Sequence, residues 1–402
     1  MASASQFRKL VSRNEDLAAL VDRGYAVTFD SGWMVIRDVP YLDQQGALQW
    51  GALATKLIFV DAERVEQEDH TVLFAGAHPC GLDGVPIRLI DAGAHTLTLS
   101  QACKDVAVER RFSNKPRETG RFNNFSEKIE SYVGIISAPA MHKYGVTPLT
   151  FKSVEDDPQP SVFKFQDSLT SKAEIGDLSR KFDDEVVAIV GLGGTGAAVL
   201  DFLVKTPVRE IRGFDGDTFH VHNAFRSLGR LDERELGTRK ADVYQNRYSN
   251  FREGLKLVPR YVDSECGDAF DAVTFAFVCV DKGSARAEIF DLLIAKGIPF
   301  IDVGMGLKRD AGPLRGMLRV TYYPPERASE IRGKGLAEMS DAPENLYRTN
   351  VQIGELNALN AALAVIRYKQ LRGFYSDDMR YYQLLFDLVD LKTVGGGLHD
   401  ED

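Results

Sequence analysis

The sequence predicts an α/β protein: a Rossmann-like, mixed but mostly parallel sheet with helices on both faces, preceded by a smaller α+β domain. Three observations carry this. From residue 185 onward, continuous apolar runs alternate with helical stretches, EVVAIV, AAVLDFLVKT, EIRGF, AVTFAFVCVD, ARAEIFDLLIAKG and PFIDVG, as in a sheet covered on both sides. A glycine-rich turn, GLGGTG, joins the first of these strands to the first helix. Before residue 150 the apolar runs are shorter and alternate with polar residues, as in YAVTF, WMVIR, HTVLFAG and VPIRLI.

Taken in order, Asn14 to Arg23 reads as a helix stopped by Gly24, and the short strands follow. Phe125, Ile129, Tyr132, Val133 and Ile136 recur at helical spacing, with Pro139 expected to end that helix. VEDDPQPS, with its prolines and acids, marks the join between better-patterned regions, so the domains are set at 1–164 and 165–402. Residues 323–350 are rich in proline and poor in large apolar groups, and are expected to form a crossing loop without helix or strand. Beyond it Ile353, Leu356, Leu359, Leu363 and Ile366 define the expected buried face of a helix. QLLFDLVDLKTV then supplies a closing strand before a flexible tail, GGGLHDED.

Composition bounds the function. A chain of 402 residues with 44% apolar and 27% charged residues can bury full cores. The net charge of −9 repels phosphate backbones and anionic lipid, which argues against a nucleic-acid partner. Cys80, Cys103, Cys266 and Cys279 form no CxxC pair, so neither a zinc ribbon nor a disulfide framework has its ligands, and a reducing cytoplasm is the expected location. A charged N-terminus and the absence of any run near the roughly 18 apolar residues of a membrane span argue against export or anchoring.

Gly191, Gly193, Gly194 and Gly196 lie where backbone approaches a pyrophosphate and a helix N-terminus receives its charge. Asp215 ends the second strand 19 residues later, spaced to accept ribose hydroxyls. Both NAD and ATP fit so far. The polar sequence that follows, DGDTFHVHNAFRSLG, ELGTRKADV and FVCVDKGSAR, has no use in an oxidoreductase. In combination, GxGGxG, the acid at the second strand, Asn223 eight residues on, Arg226 three further, Lys240 in G-x-x-K and Asp281 at a strand end resemble the ThiF/MoeB/ubiquitin-activating superfamily over about residues 165–395. The N-terminal domain is similar to uncharacterised domains fused to such modules in bacteria.

The resemblance implies an ATP-dependent adenylyltransferase that activates the C-terminal carboxylate of a ubiquitin-like protein. ATP would be held by Gly191, Gly193, Gly194, Gly196, Asp215 and Asp217, with Arg226, Lys240 and Asn223 on the phosphates and Asp281 on Mg²⁺. The chemistry agrees, because adenylation needs charge neutralisation and positioning and no general base. Relatives with an acylated crossing-loop cysteine or two CxxC zinc pairs differ from this chain, which has neither, so no zinc is expected and Ser329, Ser340 and Thr349 are the available acyl acceptors. A homodimer is implied, with Lys172 of one subunit reaching the other's phosphates; the N-terminal domain would recruit the ubiquitin-like protein or a conjugating-enzyme-like partner. Adenylation of a small molecule or tRNA base, and an NAD-dependent oxidoreductase, are the alternatives. His220 and His222 are expected to pack around the nucleotide loop, and Arg286 to bond nearby backbone.

Overall fold

Alternating apolar residues before position 150 build one antiparallel sheet, and the continuous runs after 185 build a second, largely parallel one, each in its own unit of the chain, Met1–Gly176 and Asp177–Asp402. The structure is a computed structural model that describes residues 10–30, 32–61, 64–99, 103–152, 161–165, 175–309, 312–341, 352–378 and 381–398.

The first unit opens with helix α1 (Glu15–Arg23), stopped as expected by Gly24 in the left-handed conformation, φ 100°. Asn14 precedes it, and its side chain bonds outward, accepting from Val65 N at 3.0 Å. Strands β1 (Ala26–Asp30), β2 (Trp33–Leu42), β3 (Leu48–Phe59), β4 (Val65–Gln67), β5 (Thr71–Ala75), β6 (Asp91–Thr98) and β7 (Ala107–Ser113) pair antiparallel in the order β1-β2-β3-β5-β7-β6, with β4 on β3. One face carries α1 and helix α2 (Phe125–Tyr144), whose stripe Phe125, Ile129, Tyr132, Val133 and Ile136 packs against Met34, Ile36, Phe74 and Phe112. Contrary to expectation, α2 continues through Pro139 to Gly145. Gly134 and Ala138 are exposed in the turn before Pro139, Ala140 is buried beyond it, and Lys143 and Tyr144 both donate to Gly46 O, so tertiary contacts hold the helix past the lost hydrogen bond. Lys128 is also buried, donating to Thr55 Oγ1 at 2.7 Å and Asp69 O at 2.8 Å, and burial lowers its pKa to about 8.

In the second unit β8 (Val186–Val190) leads through helix α3 (Gly194–Val204) to β9 (Glu210–Phe214), then helix α4 (Lys240–Tyr248) and β10 (Leu255–Val258). β11 (Phe275–Val278), helix α5 (Gly283–Ala295), β12 (Phe300–Arg309), β13 (Leu314–Tyr323), helices α6 (Ala328–Gly333) and α7 (Gly354–Leu371), and β14 (Tyr381–Asp387) with β15 (Lys392–Leu398) complete it. The sheet order is β10-β9-β8-β11-β12-β13-β14-β15, parallel through β12 and antiparallel after it. Alternate residues of β8 enter two cores: Val187 and Ile189 pack with α3, α4 and α7, while Val186, Ala188 and Val190 pack with α5 and α6. β12 is longer than its parallel neighbour; only Phe300–Asp302 pair with β11, and residues 303–309 extend beyond it on β13.

Three sequence expectations change here. The crossing segment contains α6, because Ala328 and Ile331 are buried and Glu330 pairs with both Arg327 and Lys334 one turn away. The terminal glycines 395 and 396 belong to β15, in register with Leu384 and Gln383. On α7 the buried face is Asn357, Asn360, Ala361, Ala364, Val365 and Tyr368, whereas Ile366 of the expected leucine stripe is exposed. Ala361 and Ala364, both fully buried, let α7 lie close to α3. Among the described residues no helix is long and apolar enough to cross a membrane.

Candidate active site

Strand order reverses about β8, which lies between β9 and β11, so the turns leaving these three strands meet at one carboxyl edge, where doubly wound sheets bind ligands. The first turn depends on its glycines for different reasons. Gly191 adopts φ 90°, and a Cβ there would stand 2.7 Å from Cys279 O. A side chain at Gly196 would collide with Gly191 O, and one at Gly194 with Asn357 Nδ2. Gly193, the cap of α3, has open space where its Cβ would be. The turn thus presents bare backbone and a helix N-terminus to a cavity of about 910 Å³.

Two carboxylates from the β9 turn have separate tasks. Asp215 is buried, and its oxygens accept the N–H groups of Leu192 at 2.7 Å and Asp217 at 2.8 Å. It therefore ties the glycine turn to β9, and burial raises its pKa against the opposing charge of Lys240. Each oxygen thus holds one backbone N–H, and Asp215, expected at the ribose hydroxyls, lines the cavity. Asp217 is half exposed in the cavity wall, accepting from Lys240 Nζ at 2.6 Å and Tyr261 Oη at 2.5 Å. Burial would raise its pKa, but those two donors outweigh it and hold the carboxyl low; the Tyr261 phenol is pushed up to about 12 chiefly by the same hydrogen bond. Lys240, itself buried, lies 3.6 Å from Asp215.

Arg226 lines the cavity, and its buried Nε has no hydrogen-bond partner among the described residues. Asp281, exposed just past β11, lines the opposite turn. Asn223 does not line the cavity: it is buried under the turn Val221–Ala224, with Oδ1 accepting from His220 N at 2.8 Å, so it shapes the turn that delivers Arg226. His220 and His222 sit with ring centroids 5.8 Å apart because they flank a helical turn and not a strand. The pKa of His222 is lowered by burial and by Arg226. Among the described residues no group of three His, Cys, Asp or Glu is placed to hold a metal. Ser329 is exposed on α6 and Ser340 is exposed against the start of α5; neither lines the cavity. Thr349 and Lys172 lie outside the described residues. Cys279 borders the cavity, but burial drives its thiol pKa far upward, which removes thiolate character.

Arg286 bonds nearby backbone as expected, donating to Val280 O and, at 2.8 Å, to Glu338 O, and it also donates to Asp302 at 3.0 Å. Other wall residues gave no signal in sequence: Arg319 reaches the other Asp302 oxygen at 2.7 Å. A fully buried carboxylate between two arginines underlies the cavity wall. From α7, Asn357 accepts from Thr195 Oγ1 at 2.8 Å and Asn360 donates to Gly304 O at 3.0 Å, both lining the cavity. Two asparagines three residues apart on a helix otherwise written in Ala and Leu were the available clue.

Residues 15–168 match a domain of unknown function, DUF6791, and residues 170–325 match the ThiF family. No curated protein matches the chain. Solved structures with similar folds include Escherichia coli MccB with MccA-N7isoASN (15% identity, TM-score 0.42, 56% of this chain and 67% of that one). Others are PaaA (16%, 0.42, 58% and 80%) and E. coli MccB with ATP (17%, 0.41, 55% and 66%). The mixed sheet and its glycine turn at the point of reversal agree with the family match: residues 170–325 are a ThiF family domain.

Proposed function

We propose that the chain is an ATP-dependent adenylyltransferase that activates the C-terminal carboxylate of a ubiquitin-like protein. The observation that carries this is the convergence, on one cavity at the β8 switch, of a helix N-terminus, the Asp217–Lys240 pair, Arg226 with an unpartnered nitrogen, and Asp281. These residues fit ATP: Asp217 would take the ribose hydroxyls, the Gly193–Gly194 backbone and Arg226 the phosphates, and Asp281 a Mg²⁺ ion that needs only one or two protein carboxylates when phosphates supply the rest. Mg²⁺ supplies charge neutralisation on the phosphates. The substrate carboxylate, ionised at neutral pH, attacks the α-phosphorus and pyrophosphate leaves. Lys240 and Arg226 oppose the charge that develops, in a wall already fixed by Asp215 and its backbone bonds.

E. coli MccB has been solved with ATP and with MccA. In this chain the same reading extends to a homodimer in which Lys172 of one copy serves the phosphates of the other, and to a recruiting role for the first unit. Asp281→Asn is expected to abolish ATP–pyrophosphate exchange driven by the cognate substrate while ATP binding persists, because the metal loses its carboxylate and the glycine turn is intact. Undiminished exchange would end the adenylation reading.

A further inference from the structure

The cavity wall on α7 holds two buried polar atoms that the fold leaves unanswered. Asn357 and Asn360 are 2% and 1% exposed. Gly304 O, which can only accept, fixes Asn360 Nδ2 as its donor and leaves Oδ1 as the free acceptor, and Thr195 Oγ1 donates to Asn357 Oδ1, which leaves Nδ2 as the free donor. Neither Asn357 Nδ2 nor Asn360 Oδ1 has a hydrogen-bond partner among the described residues. A buried polar group without a partner costs about 1–3 kcal/mol, so two in adjacent positions of one wall point to a ligand that answers both.

Their placement identifies its chemistry. Asn357 Nδ2 lies against Gly194, at the N-terminus of α3 where the reacting carboxylate and the α-phosphate must meet. Asn360 is one helical turn further, beside Gly304 on the extension of β12. A donor and an acceptor one turn apart match the C=O and N–H of a single extended residue, which point to the same side of the chain. We infer that Asn357 and Asn360 recognise the last residue of a polypeptide: Asn357 Nδ2 donates to its carboxylate and Asn360 Oδ1 accepts its peptide N–H. The inference rests on the adenylation reading and deepens it, because a simple carboxylic acid has no N–H to offer and would leave Asn360 unsatisfied. These asparagines select and position the acyl substrate and take no part in proton transfer.

The test compares acetyl-Leu-Gly-Gly with acetyl-Leu-Gly-sarcosine, identical but for a methyl group in place of the last N–H, as drivers of ATP–pyrophosphate exchange by the full chain. The glycine peptide is expected to be at least about tenfold better, the value of one buried hydrogen bond with its unpaired partner. Asn360→Leu should reduce the glycine peptide to the level of the sarcosine peptide with ATP binding unchanged, and Asn360→Gln, which keeps both the acceptor and a donor for Gly304 O, should retain a preference for the glycine peptide. Equal exchange with both peptides in the unaltered chain, or a preference that survives Asn360→Leu, overturns the inference and leaves adenylation standing. If a chain that binds ATP shows exchange with neither peptide, both readings fall.

Discussion

Charged residues in this chain are placed by what surrounds them, and two lysines show how differently. Lys240 is held by Asp217 at 2.6 Å and Asp215 at 3.6 Å beside open cavity, and its sequence signal, G-x-x-K after an acidic strand end, was readable. Lys128 was not: in sequence it is one more polar residue on an amphipathic helix, and only the sheet against which α2 packs encloses it. With a folded pKa near 8 against 10.5 unfolded, Lys128 binds fewer protons in the native state across that interval, so stability rises as pH climbs from 8 to 10.5. Replacing Lys128 with Met is expected to remove that rise, worth up to about 3 kcal/mol, in denaturant titrations at the two ends of the interval. An equal pH dependence in the variant would contradict the burial argument. Asn223 and Asp215 show the limit of motif reading: spacing located them beside the site but could not reveal that backbone N–H groups already hold Asp215's two oxygens and Asn223's Oδ1.

Elements were legible where one period dominated. The continuous runs of β8, β11 and β12 and the glycine turn before α3 were read correctly because a strand covered on both faces has a simple apolar pattern. α7 was read as a helix but its face was not, because Asn357, Asn360, Ala361 and Ala364 supply most of the buried side and carry a weak hydrophobic signal, while leucines sit on the flank. The glycine turn itself makes a sharp contrast testable. Gly196→Ala forces a methyl into Gly191 O and should cost about 3 kcal/mol in unfolding, since backbone cannot yield as a side chain does. Gly193→Ala, at φ −72° with open space beside it, should leave stability within about 1 kcal/mol and weaken ATP binding about tenfold by narrowing the approach to the helix N-terminus. Denaturation midpoints and nucleotide titrations of the pair check both; equal destabilisation would mean the turn is not packed as described.

At the scale of the molecule, sequence pattern gave two differently built regions and the fold class of the second, but not the strand order or the reversal that creates the cavity, since those depend on contacts far apart in the chain. Lys172 lies outside the described residues, and its role in a partner's site is tested by complementation. A Lys172→Ala chain mixed in equal amount with an Asp281→Asn chain should regain exchange through the one intact site of each heterodimer, to about a quarter of the native activity if chains pair at random and sites are independent. No recovery on mixing, or a fully active monomer, removes the shared site and leaves the chemistry untouched.

On the proposed adenylation, the overhang of β12 past β11 separates two tasks, holding nucleotide and admitting the acyl substrate. The turns proposed to hold nucleotide leave the parallel strands, whereas Met305, Gly306, Met317 and Leu385 stand on the antiparallel extension, where no parallel neighbour constrains them. A change on that ledge alters the shape offered to cargo without disturbing a single residue of the glycine turn or the Asp215 tether. Such a molecule can be retargeted by rewriting one wall, with its energy source left in place.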